Sequence, residues 1–395
     1  MIENQSIICF ASDPWDSMWR NRHQIMSRLS RTNKVLYIEP KTYTVPELLK
    51  KSSIKRSLQN KRLKHVMNGL WVFRHPFWGV SSRWPVIKQL GLRLRIHAIH
   101  RATRKLQMQH PILWVVDPRL GTVVKYFKKA LVCYHVVDNY SAAPYYSEKI
   151  REDLKQAEKF ILPIADLVIV TSPFLQKEKS KFNSNVHLVK NAVDYEQFSI
   201  FQSFDNMPKD MEGIPKPIIG YIGAINEKLD FELLAYIAHK RPQWSFVFIG
   251  DYVNNPKSSE SYKFIQQHPS NVFLLGKRDV KEVPRYIHAC DVCIMPYCRN
   301  DYTKAIDSLK LYEYFACGKP VVATDISVTR GYSQVVYIAK DGDDFIQKLE
   351  EVLALFPSVR REIQRSVALQ NTWDKRVEQL SLLIQTALHK LQVQK

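Results

Sequence analysis

No apolar run in these 395 residues approaches the ~20 that a membrane-spanning helix needs, which excludes a helical integral membrane protein. The start, Met1-Ile2-Glu3-Asn4-Gln5, lacks the charged and apolar regions of a signal peptide, so the expectation is a cytoplasmic protein. Cysteine is scarce. Only six are present, most inside apolar runs where a small thiol packs well, which argues against a disulfide framework and for a reducing compartment. The spacing Cys290-x-x-Cys293 invites a zinc reading, but Cys290-Asp291-Val292-Cys293-Ile294-Met295-Pro296 looks like a helix end entering a buried strand, whose alternate residues point to opposite faces. Short-period repeats and low-complexity segments are missing too, which argues against a solenoid. With 45% hydrophobic and 24% charged residues, the composition is that of a globular chain long enough for two domains.

Acidic residues are nearly absent from one stretch. Between positions 41 and 116, sixteen Lys and Arg face a single acid, Glu47, and this fifth of the chain holds most of the formal charge of +20. Such a field attracts polyanions: nucleic acid, anionic lipid headgroups or a pyrophosphate-linked substrate. Within it, segment 85–108 sets Val86, Ile87, Leu90, Leu94, Ile96, Ile99 and Leu106 among Lys88, Arg93, Arg95, Arg101, Arg104 and Lys105, with Trp78 and Trp84 just ahead. A basic amphipathic stretch with interfacial aromatics suits peripheral attachment to an anionic membrane surface, on the inner face of the cell membrane. The competing reading is a core helix with a solvated basic face. A nucleic-acid-binding protein is a rival from another class, but no nucleic-acid motif is present and the aromatics are not interleaved as a stacking platform requires.

Strand-like runs recur at Ser6–Ala11, Lys34–Ile38, Leu70–Arg74, Ile112–Val116, Leu131–Val137, Leu167–Thr171 and Val186–Lys190, with helical patterns such as His23–Arg31 and Ile150–Phe160 between them. Continuous apolar strands such as 112–116 suit a parallel sheet covered on both faces. Pro208, Gly213, Pro215 and Pro217 break the pattern. A second series follows at Ile218–Ile222, Ser245–Ile249, Val272–Leu275, Val292–Met295, Val321–Thr324 and Val335–Ile338. The expectation is an α/β protein of two doubly wound, Rossmann-like domains facing a central cleft. The first spans 1–195, a linker 196–216, the second 217–375, and a closing helix 376–395.

Asp307-Ser308-Leu309-Lys310-Leu311-Tyr312-Glu313-Tyr314-Phe315-Ala316-Cys317-Gly318-Lys319-Pro320-Val321-Val322 carries the densest chemistry. A helix opening near Ser308 offers unpaired N–H groups and a positive dipole end to a phosphate. Lys310 and Glu313, three apart, share a face: an ammonium for a diphosphate and a carboxylate for a ribose diol, or else an ordinary surface ion pair.

This run resembles the signature of GT-B glycosyltransferases, Lys-Leu-x-Glu-Tyr-x-Ala-x-Gly-x-Pro-Val-Val. Lys190-Asn191-Ala192-Val193-Asp194 with Phe198 is similar to their element entering the linker, and Gly220-Tyr221-Ile222-Gly223 to their glycine turn. Trp15-Asp16-Ser17-x-Trp19-Arg20-x-Arg22-x-Gln24 followed by Val35-Leu36-Tyr37-Ile38-Glu39-Pro40 resembles the subgroup of teichuronic-acid-type transferases and the xanthan glucuronosyltransferase. The resemblance implies a GT-B fold and transfer of a sugar from a nucleotide sugar, UDP-linked by the family's common choice. The acceptor it implies is a membrane-associated, polyprenyl-linked saccharide in cell-surface polysaccharide synthesis. It also implies donor contacts from Gly223, Ala224, Asn226 and Lys228, from Ser308, Leu309, Lys310 and Glu313, and from the base-cradling loop with Lys277 and Arg278. A non-catalytic GT-B scaffold is the remaining alternative.

Many retaining relatives carry a second Glu eight residues before the ribose-binding one; Ala305 stands there, which favours inversion. Inversion needs a base for the acceptor hydroxyl. Candidates at strand ends are Asp138, first because an apolar strand beside it would raise its pKa, then Asp13 and Asp16. Trp15 and Arg22 are candidate acceptor contacts, Arg22 either binding an anionic group or decorating the helix that follows. Asp341-Gly342-Asp343-Asp344 has metal-binding spacing but precedes a helical pattern, so a turn and N-cap are expected and no metal or cofactor is called for.

Overall fold

The structure, a computed structural model, describes residues 1–17, 19–40, 62–76, 84–200, 207–251, 263–264 and 266–393; of the basic stretch, positions 41–61, Trp78 and Arg83 lie outside these, as does 201–206 of the expected linker. Its strands are β1 (Ser6–Phe10), β2 (Lys34–Ile38), β3 (Leu63–Met67), β4 (Leu70–Phe73), β5 (Ile112–Val115), β6 (Leu131–Val136), β7 (Leu167–Val170), β8 (Val186–Leu188), β9 (Ile218–Ile222), β10 (Ser245–Ile249), β11 (Val272–Gly276), β12 (Val292–Met295), β13 (Val321–Thr324) and β14 (Val336–Ala339). The α-helices are α1 (Asn21–Leu29), α2 (Pro85–Lys105), α3 (Glu148–Ile164), α4 (Pro173–Lys179), α5 (Tyr195–Ser199), α6 (Phe231–Lys240), α7 (Val283–Ala289), α8 (Leu309–Ala316), α9 (Ser327–Arg330), α10 (Gly342–Ala354), α11 (Ser358–Gln370) and α12 (Trp373–Val393).

The first sheet runs β3-β4-β2-β1-β5-β6-β7-β8 and the second β11-β10-β9-β12-β13-β14. Every pairing is parallel except β3 with β4. β3 has no counterpart among the expected strands. Its Leu63-Lys64-His65-Val66-Met67 contains no fully buried residue, so it carries none of the apolar signal of the central strands. Several expected strands overran by one residue at the carboxyl end, at Ala11, Arg74, Val116 and Val137, where the chain leaves the ladder for a loop.

The alternation of strand side chains builds two cores on the first sheet. Ile7 and Cys9 of β1 join one with Trp114, while Ile8 and Phe10 join the other with Leu113 and Val115. The second core is roofed by Ile96, Ile99 and Ala102 of α2 and by Ile161 and Leu162 of α3. The first is closed from far along the chain: Trp373, Val377, Leu380, Ile384 and Ala387 of α12, each no more than 4% exposed, pack into it. The tail therefore crosses back from the second domain to the first. At the crossing Val193 N donates to Asn371 O (3.0 Å), and Arg28 of α1 pairs with both Asp194 (3.1 Å) and Asp374 (3.0 Å), so the outgoing and returning segments are tied together.

α2 divides along its length. Its second half is a core helix, whereas Trp84, Val86 and Leu90 at its start are 74%, 79% and 57% exposed. No helix among the described residues is long and apolar enough to cross a membrane.

Candidate active site

In both sheets the strand order reverses at one point, between β1 and β5 and between β9 and β12, and a doubly wound sheet binds ligands outside the carboxyl ends of its strands at that point. Here the two points share one cavity of about 1350 Å³, whose lining includes Asp13, Asp138, Gly223, Lys228, Lys310 and Glu313.

On the second domain's side, Gly223 follows β9 directly, with φ of +148° and its N–H donating to Ile249 O (2.7 Å). A Cβ there would collide with the methylenes of Lys310, so only glycine lets that side chain cross the strand end. Ser308 is the N-cap of α8, yet its side chain caps nothing; its Oγ lies 3.3 Å from the Tyr297 hydroxyl. Leu311 N donates to Ser308 O (3.2 Å), which leaves the N–H groups of Leu309 and Lys310 for another acceptor. The Lys310 ammonium lies 5.6 Å from the Tyr221 ring centre and that of Lys228 5.4 Å from the Tyr297 ring centre. Among the described residues neither lysine forms an ion pair, with Glu313 or any other acid. Burial and the like charge of Lys310 bring Lys228 down to about 8. Burial alone would raise Tyr297, but the two ammoniums outweigh it and hold the phenol at about 8. Glu313, half-buried, is raised by burial against the pull of Lys310. The result is excess positive charge at an uncapped helix end, with a carboxylate on the same face.

Ala224 and Asn226 follow Gly223 along the cavity wall, and Asn226 Oδ1 accepts from Lys228 N (3.3 Å). Lys277 is exposed on the opposite lip. Arg278 lines the cavity but is tethered: it pairs with Asp210, and its Nε donates to the Tyr286 hydroxyl (2.7 Å).

On the first domain's side, Asp138 follows β6, half-buried and without a hydrogen bond or ion pair among the described residues. Burial pushes its carboxyl up to about 6, against the pull of Arg20, Lys228 and Arg22. The other acids are engaged. Asp13 pairs with Arg22, and Asp16, more than half exposed, pairs with Arg74 at 2.6 Å. Trp15 and Arg22, the two expected acceptor contacts, both line the cavity while little of either is exposed. Arg22 is 1% exposed. Trp15, 4% exposed, packs its ring 5.5 Å from Trp19 and 5.0 Å from Tyr37.

Sequence reasoning missed the groups that join the domains. Asp307 Oδ2 accepts from Asn191 N (2.5 Å) and Oδ1 from the Tyr312 hydroxyl (3.0 Å), while the Tyr145 and Tyr302 hydroxyls meet at 3.1 Å. Asn191 and Asp307 each sit in a conspicuous motif, but a contact spanning 116 positions leaves no local signal. Asp307 too is raised to about 6 by burial. Ala305 is a fully buried methyl in the first domain's core. Asp341 accepts from Asp344 N (2.9 Å) as the N-cap of α10, and Asp344 from Lys340 N (2.8 Å), which is the turn and cap expected of them. Cys290 follows α7 and Cys293 lies in β12, both buried.

Comparison with known proteins finds a match to the family Glycosyl transferases group 1 over residues 216–354. A Bacillus subtilis (strain 168) protein described as a teichuronic acid biosynthesis glycosyltransferase is 33% identical over 278 residues, 66% of this chain and 68% of that one. Among solved structures, sucrose-phosphate synthase from Thermosynechococcus elongatus superposes with a TM-score of 0.71 at 17% identity, over 98% of this chain and 100% of the other. Anabaena HepE, solved in complex with UDP and glucose, gives 0.68 at 14% identity, over 97% and 100%.

Proposed function

This chain belongs to the group 1 glycosyltransferases of GT-B fold, and from that premise we propose that it moves a sugar from a UDP-linked donor to a membrane-associated, polyprenyl-linked saccharide in cell-surface polysaccharide synthesis. One observation carries the donor assignment: two lysines without acid partners, Lys228 and Lys310, stand at the uncapped start of α8, with Glu313 on the same face. A diphosphate set on the free N–H groups of Leu309 and Lys310 would have its developing charge met by the helix end and both ammoniums as the sugar–phosphate bond breaks. Glu313 would accept from the ribose hydroxyls, and the loop at Lys277 would receive the base. A bound metal ion has no required part in this scheme, since lysines and a helix end supply the positive charge.

Asp138 serves best as the base. Its carboxylate takes the proton of the acceptor hydroxyl while that oxygen bonds to the anomeric carbon from the face opposite the departing diphosphate, so the centre inverts. Ala305 supports this, because it occupies the sequence position, eight before Glu313, at which many retaining relatives carry a second Glu.

The acceptor's lipid character and the membrane surface are supported by the start of α2, where exposed Trp84, Val86 and Leu90 lie beside Lys88 and Arg93, and by the teichuronic acid biosynthesis named in the Bacillus relative's description. The test is transfer of labelled sugar from a panel of nucleotide sugars onto membrane lipid extract. Transfer from a UDP-sugar, lost with Lys310→Ala and with Glu313→Ala, is expected. Transfer that survives both substitutions would defeat the donor assignment.

A further inference from the structure

A second depression, of about 720 Å³, opens on the opposite edge of the second sheet, where Pro217, Asp291 and Pro320 immediately precede β9, β12 and β13. It is separate from the cleft, which lies at the other ends of these strands. Its floor is apolar, built from Val352, Leu353 and Phe356 at the end of α10. Its rim is cationic: Lys216, Arg285, Lys319, Arg361 and Arg365 surround it against one carboxylate, Asp291, which lies 3.4 Å from Lys216. His288 adds no charge at neutral pH, since burial and Lys319 hold it down to about 4.

Two of these cations are short of partners. The Nε of Arg285 is buried and has no hydrogen-bond partner. Arg361 forms no ion pair among the described residues; its guanidinium lies over the Phe356 ring, 5.7 Å from the centre. Arg361 and Arg365 both lie across Gly318, whose φ is +64° and where a Cβ would stand 2.8 Å from Arg361 Cγ and 2.9 Å from Arg365 Nε. Glycine there leaves room for the Arg361 methylenes and the Arg365 guanidinium beside the depression. Five cations against one lining carboxylate fit phosphate oxygens, and the floor fits a hydrocarbon or ring attached to that phosphate.

We propose that this depression binds a phosphate ester with an apolar portion, at a site distinct from the cleft. Its position gives it leverage on the cleft. α8, eight residues and about 12 Å long at ~1.5 Å per residue, has its N-cap Ser308 in the cleft and Cys317 and Gly318, which follow it, in the depression. The rim residues His288 and Cys317 both reach the Phe198 carbonyl, at 3.4 and 3.3 Å, and Met207 of the interdomain segment lines the wall. An occupant therefore touches the donor-site helix and the linker together.

The test uses the full chain carrying Lys228→Ala and Lys310→Ala, which removes the cleft's own phosphate cations. Calorimetric titration with inorganic pyrophosphate and with octyl phosphate is expected to show binding in this background, tighter for octyl phosphate. Adding Arg285→Gln or Arg361→Gln should weaken it about tenfold each, the loss of one charge-assisted hydrogen bond. Sedimentation with phosphatidylglycerol vesicles separates the sources: Arg285-dependent vesicle binding assigns a lipid headgroup, and its absence assigns a soluble phosphate ester. Binding abolished by the two lysine changes and indifferent to Arg285→Gln would overturn the proposal. So would a lowered melting temperature in Arg361→Gln with unchanged affinity in both arginine variants, which would make the arginines simple covers for the end of α8.

Discussion

Asp138 gives the reaction a testable pH dependence. Its carboxyl is lifted to about 6 by burial, and the ionised form is the one that accepts a proton, so the active species is lost as pH falls through that value. With one such group, kcat/KM should drop about tenfold per pH unit below 6, whereas an ordinary aspartate would hold the rate level to about pH 4. On the alkaline side Lys228, held down to about 8, must keep its proton to meet the diphosphate, so kcat/KM should fall again above 8. The bound diphosphate stabilises the ammonium, and the alkaline limb of kcat should therefore lie at higher pH than that of kcat/KM. Asp138→Asn should cost about 10²- to 10⁴-fold in kcat and remove the acid limb from the residual rate. Asp307 titrates in the same range, but both its oxygens are occupied by Asn191 and Tyr312, so Asp307→Asn should lower the melting temperature and leave the limb in place. Steady-state rates from pH 5 to 9 in a constant-ionic-strength buffer decide it. A level kcat/KM between pH 5 and 6, or an Asp138→Asn enzyme that keeps the acid limb, would refute the role given to this residue.

Other perturbations test other parts of the account. Gly223→Ala forces a Cβ into the path of Lys310 at a positive φ; it should destabilise the fold by about 1–3 kcal/mol in chemical denaturation and weaken UDP binding in calorimetry. Leu380→Ala empties a site in the first domain's core from the far end of the chain and should cost about 2–5 kcal/mol by the same denaturation assay. Trp84→Glu with Leu90→Glu should abolish flotation with phosphatidylglycerol vesicles while leaving UDP affinity unchanged; undiminished flotation would remove the start of α2 from the membrane contact. Transfer activity should persist in excess EDTA, and restoration of a lost activity by magnesium or manganese would contradict a lysine-based diphosphate site.

The central strands were plain in the sequence because strands buried on both faces must be apolar throughout, as Ile112–Val115 and Val292–Met295 are. β3 escaped notice because an edge strand is not held to that rule. The second domain's wall of the cleft was legible for a related reason: the placement of Gly223, Ser308, Lys310 and Glu313 rests on backbone geometry and helix spacing, which are local. The first domain's wall was not. How deeply Trp15 and Arg22 are set in the cavity wall depends on Tyr37, Trp19 and Asp13 closing around them, and the Asn191–Asp307 and Tyr145–Tyr302 bonds join distant positions. The return of α12 to the first sheet was hidden likewise, since an amphipathic tail does not say which domain it will cover.

The most direct measurement is a crystal structure of the protein soaked with UDP. The diphosphate is expected against the backbone N–H groups of Leu309 and Lys310, at about 2.7–2.9 Å from the Lys310 ammonium, with the ribose hydroxyls on Glu313. A diphosphate bound away from the start of α8, or a ribose out of reach of Glu313, would contradict the account.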